Sequence, residues 1–276
     1  MSSDIPIGVA HFSCIDLPPL EFVRAADEAG FAAVGLRLHP AFPGAPFYPL
    51  RPGSLQMRDV KSALSDAGMR VYDIEFVVVD KDFRPSVLGP VFESAADLGA
   101  ERLSVCGDDP DSHRFEDKLA ELAALAGSVG LGIDLEVMPW RHICTLERAV
   151  SAADAAQSES LGILVDALHL SRSGGVPSDL LAIPPNLIRS VQLCDASAET
   201  PSDTDGIIAE ARGGRLAPGK GALPLLELVG IIPSTAALSV EVPNAGQAQQ
   251  DHLNDLYAST AALLGLSSRA AKLVSG

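Results

Sequence analysis

The stretch that decides the fold runs from residue 91 to residue 106 and reads VFESAADLGAERLSVC. It begins as an alanine-rich segment whose apolar residues recur with helical spacing, and Gly99 follows where a helix would end in the left-handed conformation. A short apolar run, Arg102 to Cys106, comes next and is typical of a buried strand. The stretch therefore predicts a helix, a terminating glycine and a strand, in that order.

The same helix–glycine–strand unit recurs along the chain. The glycines predicted to end helices are Gly30, Gly68, Gly99, Gly130 and Gly162, at intervals of 38, 31, 31 and 32 residues. Eight strands are predicted, at residues 5–10, 33–38, 70–79, 102–106, 132–137, 162–166, 187–193 and 237–242. Strands that alternate with helices form a parallel sheet, and eight such units are enough to close a barrel.

The predicted fold class is therefore α/β, a (β/α)8 TIM barrel that forms a single domain over residues 1–276, with residues 267–276 as a frayed tail. A doubly wound sheet is the weaker alternative, because no GxGxxG motif follows the first strand.

Charge and composition exclude several classes of function. The chain has 36 acidic and 20 basic side chains, a formal net charge of −16, so nucleic acid is not expected as a partner. The opening residues lack a basic segment followed by an apolar one, and no apolar run is long enough to span a membrane. Four scattered cysteines without a CxxC pair indicate reduced thiols. We therefore expect a cytoplasmic protein with no membrane partner.

Polar residues on the last four predicted strands share one face. Alternation along a strand places Asp134 and Glu136 inside the barrel, and it does the same for Asp166, Gln192 and Glu241. Carboxylates that converge in a low-dielectric space repel one another unless a cation or protons neutralise them. Oxygen ligands favour Mg²⁺ or Mn²⁺, with Co²⁺ as a substitute. The alternative is that these acids cap helices or pair with arginine and lysine.

Earlier strands carry further polar residues with inward parity. These are Arg37 and His39 on the second strand, and Asp73 and Glu75 on the third, where Tyr72, Ile74 and Phe76 are predicted to face outward. They would either line a hydrophilic substrate pocket or form an Arg37–Glu75 ion pair that fills the barrel.

Five motifs together resemble the xylose-isomerase-like sugar phosphate isomerase/epimerase superfamily of TIM barrels. They are LEVMP at 135–139, VDALH at 165–169, VQLCD at 191–195, RLAPGKG at 215–221 and SVEVPN at 239–244. The resemblance implies that Glu136, Asp166, Gln192 and Glu241 hold a divalent metal, Mn²⁺ or Mg²⁺ with Co²⁺ or Zn²⁺ as substitutes. It also implies that Glu136 and Glu241 exchange protons with the substrate, and that His169 and Arg215 bind substrate oxygens.

The resemblance implies a metal-dependent isomerase or epimerase acting on a small polyhydroxy carbonyl compound. A dehydratase of inosose or dehydroshikimate type is the alternative, since both reactions begin with removal of a proton next to a carbonyl. A barrel that binds a small molecule without catalysis is a third reading. Trp140 and His142, after the fifth strand, are further candidates for the substrate pocket. Residues 41–48 would form either a lid or a contact within a homo-oligomer.

Overall fold

The computed structural model describes residues 5–265. Its strands are β1 Ile7–Val9, β2 Ala33–Arg37, β3 Arg70–Asp80, β4 Arg102–Asp108, β5 Gly132–Glu136, β6 Leu161–Asp166, β7 Ile188–Leu193 and β8 Ala237–Val240. Its α-helices are α1 Pro19–Ala29, α2 Leu55–Ala67, α3 Gly89–Leu98, α4 Ser112–Gly127, α5 Leu146–Ala156, α6 Ala167–Arg172, α7 Thr204–Ala209, α8 Leu225–Ile231 and α9 Gln249–Leu263. The predicted tail, 267–276, lies outside the described residues.

The eight strands form one closed parallel barrel in chain order, and β8 pairs with β1. This confirms the predicted fold class, and each observed strand overlaps its predicted range. Single-domain TIM barrels place functional residues at the carboxyl ends of the strands, in the loops that lead to the helices. The functional site is therefore expected at the carboxyl ends of the strands.

Glycines end the first three helices as predicted. Gly30, Gly68 and Gly99 adopt φ values of 101°, 64° and 68° after α1, α2 and α3, and their N–H groups donate to the last carbonyls of each helix. The prediction for Gly162 was wrong. α5 ends at Ala156, Gln157 takes the left-handed conformation with φ 47°, and Gly162 lies within β6.

The main apolar core lies between the barrel and the surrounding helices. Phe22 of α1, Phe115 of α4 and Leu135 of β5 are among its fully buried members. Removing such a side chain typically costs about 2–5 kcal/mol, so this layer supplies much of the free energy of folding. Within residues 5–265, no helix combines the length and apolar character needed to cross a membrane.

Two irregularities in β3 change which side chains face inward. Val34 pairs with Val71 and Gly35 with Asp73, so Tyr72 is an extra residue in β3. The Tyr72 ring lies so close to Gly8 that a Cβ on that residue would stand 2.9 Å from ring atom Cε1. A second shift lies between Ile74 and Val77. Strict alternation is therefore wrong for Tyr72, which lies inside the barrel.

A polar layer fills the amino-terminal half of the barrel. Arg102, at the start of β4, pairs with Asp134 of β5, and the Arg102 guanidinium also donates to the Ile133 carbonyl at 2.8 Å. The Ser190 hydroxyl donates to Asp134 at 2.5 Å. Asp134 therefore faces inward as predicted, but its partners are protein groups and it stands apart from the strand ends that could receive a ligand.

Candidate active site

A cleft opens at the carboxyl ends of the strands. It is lined by Phe12, Arg37, Ala41, Phe42, Phe76, Glu136, Met138, Trp140, Arg141, His169, Ala211, Arg212, Arg215 and Glu241. This set combines aromatic walls with a small group of charged side chains, which is typical of a small-molecule site.

A wider groove lies beside α5 and the turn at 177–182, and it extends to Asp166 at the end of β6. Its walls are mainly aliphatic, with Leu146, Val150 and Ile183 among them. The smaller cleft is the stronger candidate, because buried titratable groups with shifted pKa values converge there.

Three buried side chains in or beside the cleft offer ligand atoms within 4.8 Å of one another: Glu136, Asp166 and His169. Glu136 is the last residue of β5 and Asp166 the last of β6. Asp166 also caps α6, because its Oδ1 accepts the His169 N–H at 2.9 Å, and this holds His169 in the first turn. His169 Nε2 lies 3.6 Å from Glu136 Oε1.

Arg215 reaches into the same group from the loop after β7. Its Nη1 lies 2.5 Å from Asp166 Oδ2 and its Nη2 lies 3.2 Å from Glu241 Oε2. The guanidinium Nη2 also stands 3.3 Å from His169 Nε2, which therefore acts as the acceptor. The converging triad thus contains two of the four predicted ligands, Glu136 and Asp166, and Arg215 pairs with both Asp166 and Glu241.

Asp195 fixes the loop that carries Arg215. Its buried carboxylate accepts four backbone N–H groups, from Ala196, Gly219, Gly221 and Leu223, at 2.8–3.0 Å. Its backbone also pairs with Leu216, the residue after Arg215, through two hydrogen bonds of 2.7 Å. A Cβ on Gly221 would collide with the Ala196 backbone, which explains why glycine stands there. The RLAPGKG segment is therefore a rigid support for Arg215.

Several polar atoms beside the triad lack partners within the described chain. Gln192 Oε1 and His169 Nδ1 are buried without a hydrogen bond, and no residue from 5 to 265 donates a hydrogen bond to the Glu136 carboxylate. Buried polar groups without partners are rare, and they commonly mark a missing ligand or ion. The donor set of two carboxylates, an imidazole nitrogen and a nearby amide oxygen fits a divalent metal. Arg215 competes with a metal at two of these atoms, Asp166 Oδ2 and His169 Nε2.

Burial and neighbouring charges set the protonation of these groups. Burial, reinforced by Glu241 and Asp166, raises the pKa of Glu136 well above its usual value. Burial also raises the pKa of Glu241 to about 7, although Arg215 opposes this. Burial lowers the pKa of His169 to about 4, so its imidazole is neutral at pH 7. Burial alone would raise the pKa of Asp166, but the Arg215 charge holds it below the ordinary value.

The Arg37–Glu75 ion pair forms, one of the two alternatives drawn from the sequence. Arg37 Nη2 lies 3.0 Å from Glu75 Oε2, and both side chains are buried. Glu75 also accepts the backbone N–H groups of His11 and Phe12. Glu75 is thus fully engaged, while the Arg37 guanidinium lines the cleft with its Cζ 5.0 Å from the centroid of the Phe12 ring.

The segment after β5 contributes Trp140 but not His142 to the cleft. The Trp140 ring meets His169 edge-on, with centroids 5.1 Å apart. The His142 side chain is absent from the cleft lining. Its backbone N–H donates to Asp108 at 3.3 Å and its carbonyl accepts from Arg148.

Sequence reasoning missed several residues of the cleft, among them Phe12, Phe76 and Arg212. Phe76 was predicted to face outward, and it lines the cleft beside the second irregularity of β3. Arg212 belongs to a single π-helical turn, residues 210–214. Such turns are frequent at functional sites, but no residue pattern in the sequence predicts this one.

A family model described as xylose isomerase-like TIM barrel matches residues 23–264. Two curated 3-dehydroshikimate dehydratases are similar in sequence. The one from Pseudomonas putida KT2440 is 29% identical over 164 residues, which cover 56% of this chain and 25% of that protein. The one from Pseudomonas aeruginosa PAO1 is 27% identical over 205 residues, covering 68% of this chain and 32% of that protein. The matched regions thus span a third or less of these relatives.

Solved structures share the fold at lower identity. A xylose isomerase-like TIM barrel/4-hydroxyphenylpyruvate dioxygenase fusion protein matches 95% of this chain and 43% of its own, with a TM-score of 0.80 and 23% identity. A protein named IolI, solved with a zinc atom, matches 94% of this chain and 98% of its own, with a TM-score of 0.77 and 15% identity. A D-allulose 3-epimerase from Methylomonas matches 94% and 98%, with a TM-score of 0.70 and 13% identity.

Proposed function

The chain belongs to the xylose isomerase-like TIM barrel family, and from that premise we propose that it is a metal-dependent dehydratase acting on a cyclic hydroxy-ketone acid of the 3-dehydroshikimate type. The observation that carries the proposal is the placement of Glu241 in one cleft with Glu136 and His169, two members of the Glu136–Asp166–His169 triad. The substrate type is taken from the names of the two similar curated proteins. The sequence alone favoured an isomerase or epimerase, with this dehydratase as the alternative.

In this proposal Glu136, Asp166 and His169 hold the metal, with the Gln192 oxygen nearby. The imidazole nitrogen in this set favours Mn²⁺, Co²⁺ or Zn²⁺ over Mg²⁺. When bound, the cation would supply Lewis-acid polarisation of the substrate ketone. The neutral His169 is already in the protonation state that a ligand needs.

Glu241 acts as the general base, because a pKa of about 7 suits proton transfer near neutral pH. The Glu241 carboxylate takes a proton from the carbon beside the ketone. The electrons of that C–H bond form a C=C bond as the C–O bond to the neighbouring hydroxyl breaks. Glu241 returns its proton to the departing oxygen, so one water leaves and the carboxylate is regenerated. A further proton shift within the ring gives an aromatic dihydroxybenzoate.

Arg215 stabilises the charged form of Glu241 and holds it at a fixed position in the cleft, because its guanidinium contacts both Glu241 and Asp166. Trp140 covers one edge of His169 and restricts access of water to it. The Asp195 network keeps the Arg215 loop in place during turnover.

The experiment is an assay of the purified protein with 3-dehydroshikimate, after chelator treatment and separate addition of Mg²⁺, Mn²⁺, Co²⁺ and Zn²⁺. We expect ultraviolet absorbance of the aromatic product only when metal is present. Glu241→Gln should lose the activity, whereas Glu227→Gln, the same change at an exposed position of α8, should retain it. Absence of aromatic product with every metal would overturn the proposal.

An epimerase is the second candidate, because Glu136 and Glu241 both line the cleft and two acids can exchange protons on two faces of one carbon. The D-allulose 3-epimerase fold match is consistent with this reading. Incubation with ketoses in deuterated water separates the candidates. An epimerase incorporates deuterium without loss of water, whereas a non-catalytic barrel would show no exchange and no change in thermal stability on chelation.

A further inference from the structure

Arginine is concentrated in the cleft of a chain that is otherwise strongly acidic. Arg37, Arg141, Arg212 and Arg215 line the cleft, against the two carboxylates Glu136 and Glu241. The formal net charge of the whole chain is −16. A guanidinium among these four that no protein carboxylate neutralises would recognise a negatively charged ligand.

Three of these four arginines are paired with buried or half-buried acids. Arg37 pairs with Glu75 at 3.0 Å, Arg141 with Asp108 at 2.6 Å and Arg215 with Asp166 at 2.5 Å. Arg212 differs, because no carboxylate within residues 5–265 lies within 4.0 Å of it. Its guanidinium instead lies over Phe42, with Cζ 5.2 Å from the ring centroid. This arrangement leaves the hydrogen-bond donors of Arg212 available to a ligand.

The turn that carries Arg212 is anchored on both sides. Glu210, two residues before it, forms two hydrogen bonds of 2.7 and 2.8 Å with the buried guanidinium of Arg172. The Ala211 carbonyl accepts from Arg215 Nε at 3.0 Å. The backbone of Arg212 is therefore tied to α6 and to the site arginine, and the Phe42 ring restricts the guanidinium. Such preorganisation lowers the entropic cost of binding.

We propose that Arg212 is an anion subsite that binds the carboxylate of the substrate at the mouth of the cleft. This inference rests on the proposed function and adds the group that selects acids over uncharged keto-sugars. A planar guanidinium can donate two parallel hydrogen bonds to a planar carboxylate, and the contact of Arg212 with the face of the Phe42 ring leaves its N–H groups free for this. Arg141 lies in the same cleft, but Asp108 already neutralises its charge.

The test measures binding by calorimetry on the metal-loaded protein, with 3,4-dihydroxybenzoate and with 3,4-dihydroxybenzamide. The two ligands share the ring and hydroxyls and differ in the charge of one group. Wild type should bind the acid about tenfold more tightly than the amide. Arg212→Gln should remove this preference by weakening the acid alone, and Arg212→Lys should restore part of it. Arg24→Gln, at an exposed position of α1, is the control and should leave both affinities unchanged.

The outcomes separate this inference from the proposed function. Retention of the full acid preference by Arg212→Gln would overturn the subsite and leave the dehydratase proposal standing. Failure of wild type to bind either ligand would count against both. A parallel pair, fructose 6-phosphate and fructose, tests the other source of negative charge. Loss of phosphate binding in Arg212→Gln, with the acid unaffected, would overturn the assignment to a carboxylate.

Discussion

Asp134 and Glu136 lie two residues apart on the same face of β5, yet their surroundings are opposite. Asp134 contacts Arg102 and accepts from the Ser190 hydroxyl, so its negative charge is neutralised inside the amino-terminal half of the barrel. Glu136 accepts no hydrogen bond from any described residue; His169 Nε2 lies 3.6 Å from it, and the acids Asp166 and Glu241 are close enough to raise its pKa. The Asp134 carboxylate has its partners within the protein, while the Glu136 carboxylate lacks them and lies at the carboxyl ends of the strands, where ligands bind.

The contrast separates stability from function within one barrel. Breaking a buried ion pair leaves a charge without compensation, so the Asp134 layer contributes to folding. A buried carboxylate without partners costs free energy, and such a group persists where a ligand or ion completes it. Conserving the layer and changing the strand ends is how TIM barrels vary their chemistry on a constant fold.

The largest expected effect is the loss of catalytic activity when Glu136, at the carboxyl ends of the strands, is replaced. Glu136→Gln keeps the shape of the side chain but removes the charge of a proposed metal ligand, so turnover of 3-dehydroshikimate should fall by roughly 10²–10⁴-fold, as much as on loss of a general acid or base. Asp134→Asn, on the same strand face, should keep most of the activity at low temperature, where it remains folded. Steady-state kinetics of the two purified variants compare them directly. Equal losses in both would show that the two layers are not separate.

For the free energy of unfolding, we expect the substitution of Asp134 to have a larger effect than that of Glu136. Asp134→Asn removes the charge of the buried Asp134, which pairs with the half-buried Arg102 side chain, 17% exposed. We expect a loss of about 3–5 kcal/mol in the free energy of unfolding. Urea unfolding at pH 7 measures it, with Glu227→Gln on the surface of α8 as the control. A loss below that of the control would mean that the amino-terminal layer does not stabilise the barrel.

The sequence predicts the closed barrel and the inward placement of Asp134 and Glu136, because the period of hydrophobic residues and the alternation along strands determine both. It fails where the backbone departs from regular geometry. The extra residue at Tyr72 in β3 reverses the side of the sheet on which the ring lies, and a β-bulge has no reliable signature in a single sequence.

Contacts between side chains that lie far apart in the chain are also not predicted by the sequence. The residues that decide the candidate site include Arg215, 49 residues after its partner Asp166. The motifs indicate both residues as functional, but no spacing rule states that the arginine contacts the aspartate. The prediction that Gly162 ends a helix was wrong for a related reason. Gly162 leaves room for the Arg189 side chain of the next strand, and this contact is visible only once the strands are paired.

Metal binding by variants should show whether the ligands are the triad of Glu136, Asp166 and His169 or the four residues predicted from the sequence. A metal that binds only the folded chain stabilises it by about 2.7 kcal/mol at a concentration 100 times its Kd. Thermal unfolding of the chelated protein with and without Mn²⁺ should show this gain in wild type and in Glu241→Gln, but not in Glu136→Gln. Loss of the gain in Glu241→Gln as well would favour the quartet of Glu136, Asp166, Gln192 and Glu241.

The smallest effect concerns the pH dependence of the metal-free protein. Burial raises the pKa of Glu136 well above its unfolded value, so the native state binds more protons than the unfolded state above about pH 4.5. Stability from this group is therefore present below that pH and is lost as the pH rises through the folded pKa. Glu136→Gln cannot ionise and escapes this loss. In chelator, we expect it to exceed wild type by about 1–3 kcal/mol at pH 8, the cost of an unpaired buried group.

At pH 5 the same comparison should give nearly equal stabilities, because Glu136 is protonated in the native wild type and is then almost isosteric with glutamine. The lowered pKa of His169 destabilises both proteins alike as the pH falls below about 6.5, so it cancels in the difference. Urea unfolding at both pH values provides the measurement. A constant difference between pH 5 and pH 8 would show that the Glu136 charge is compensated in the native chain, and that the two carboxylates of β5 do not differ as described.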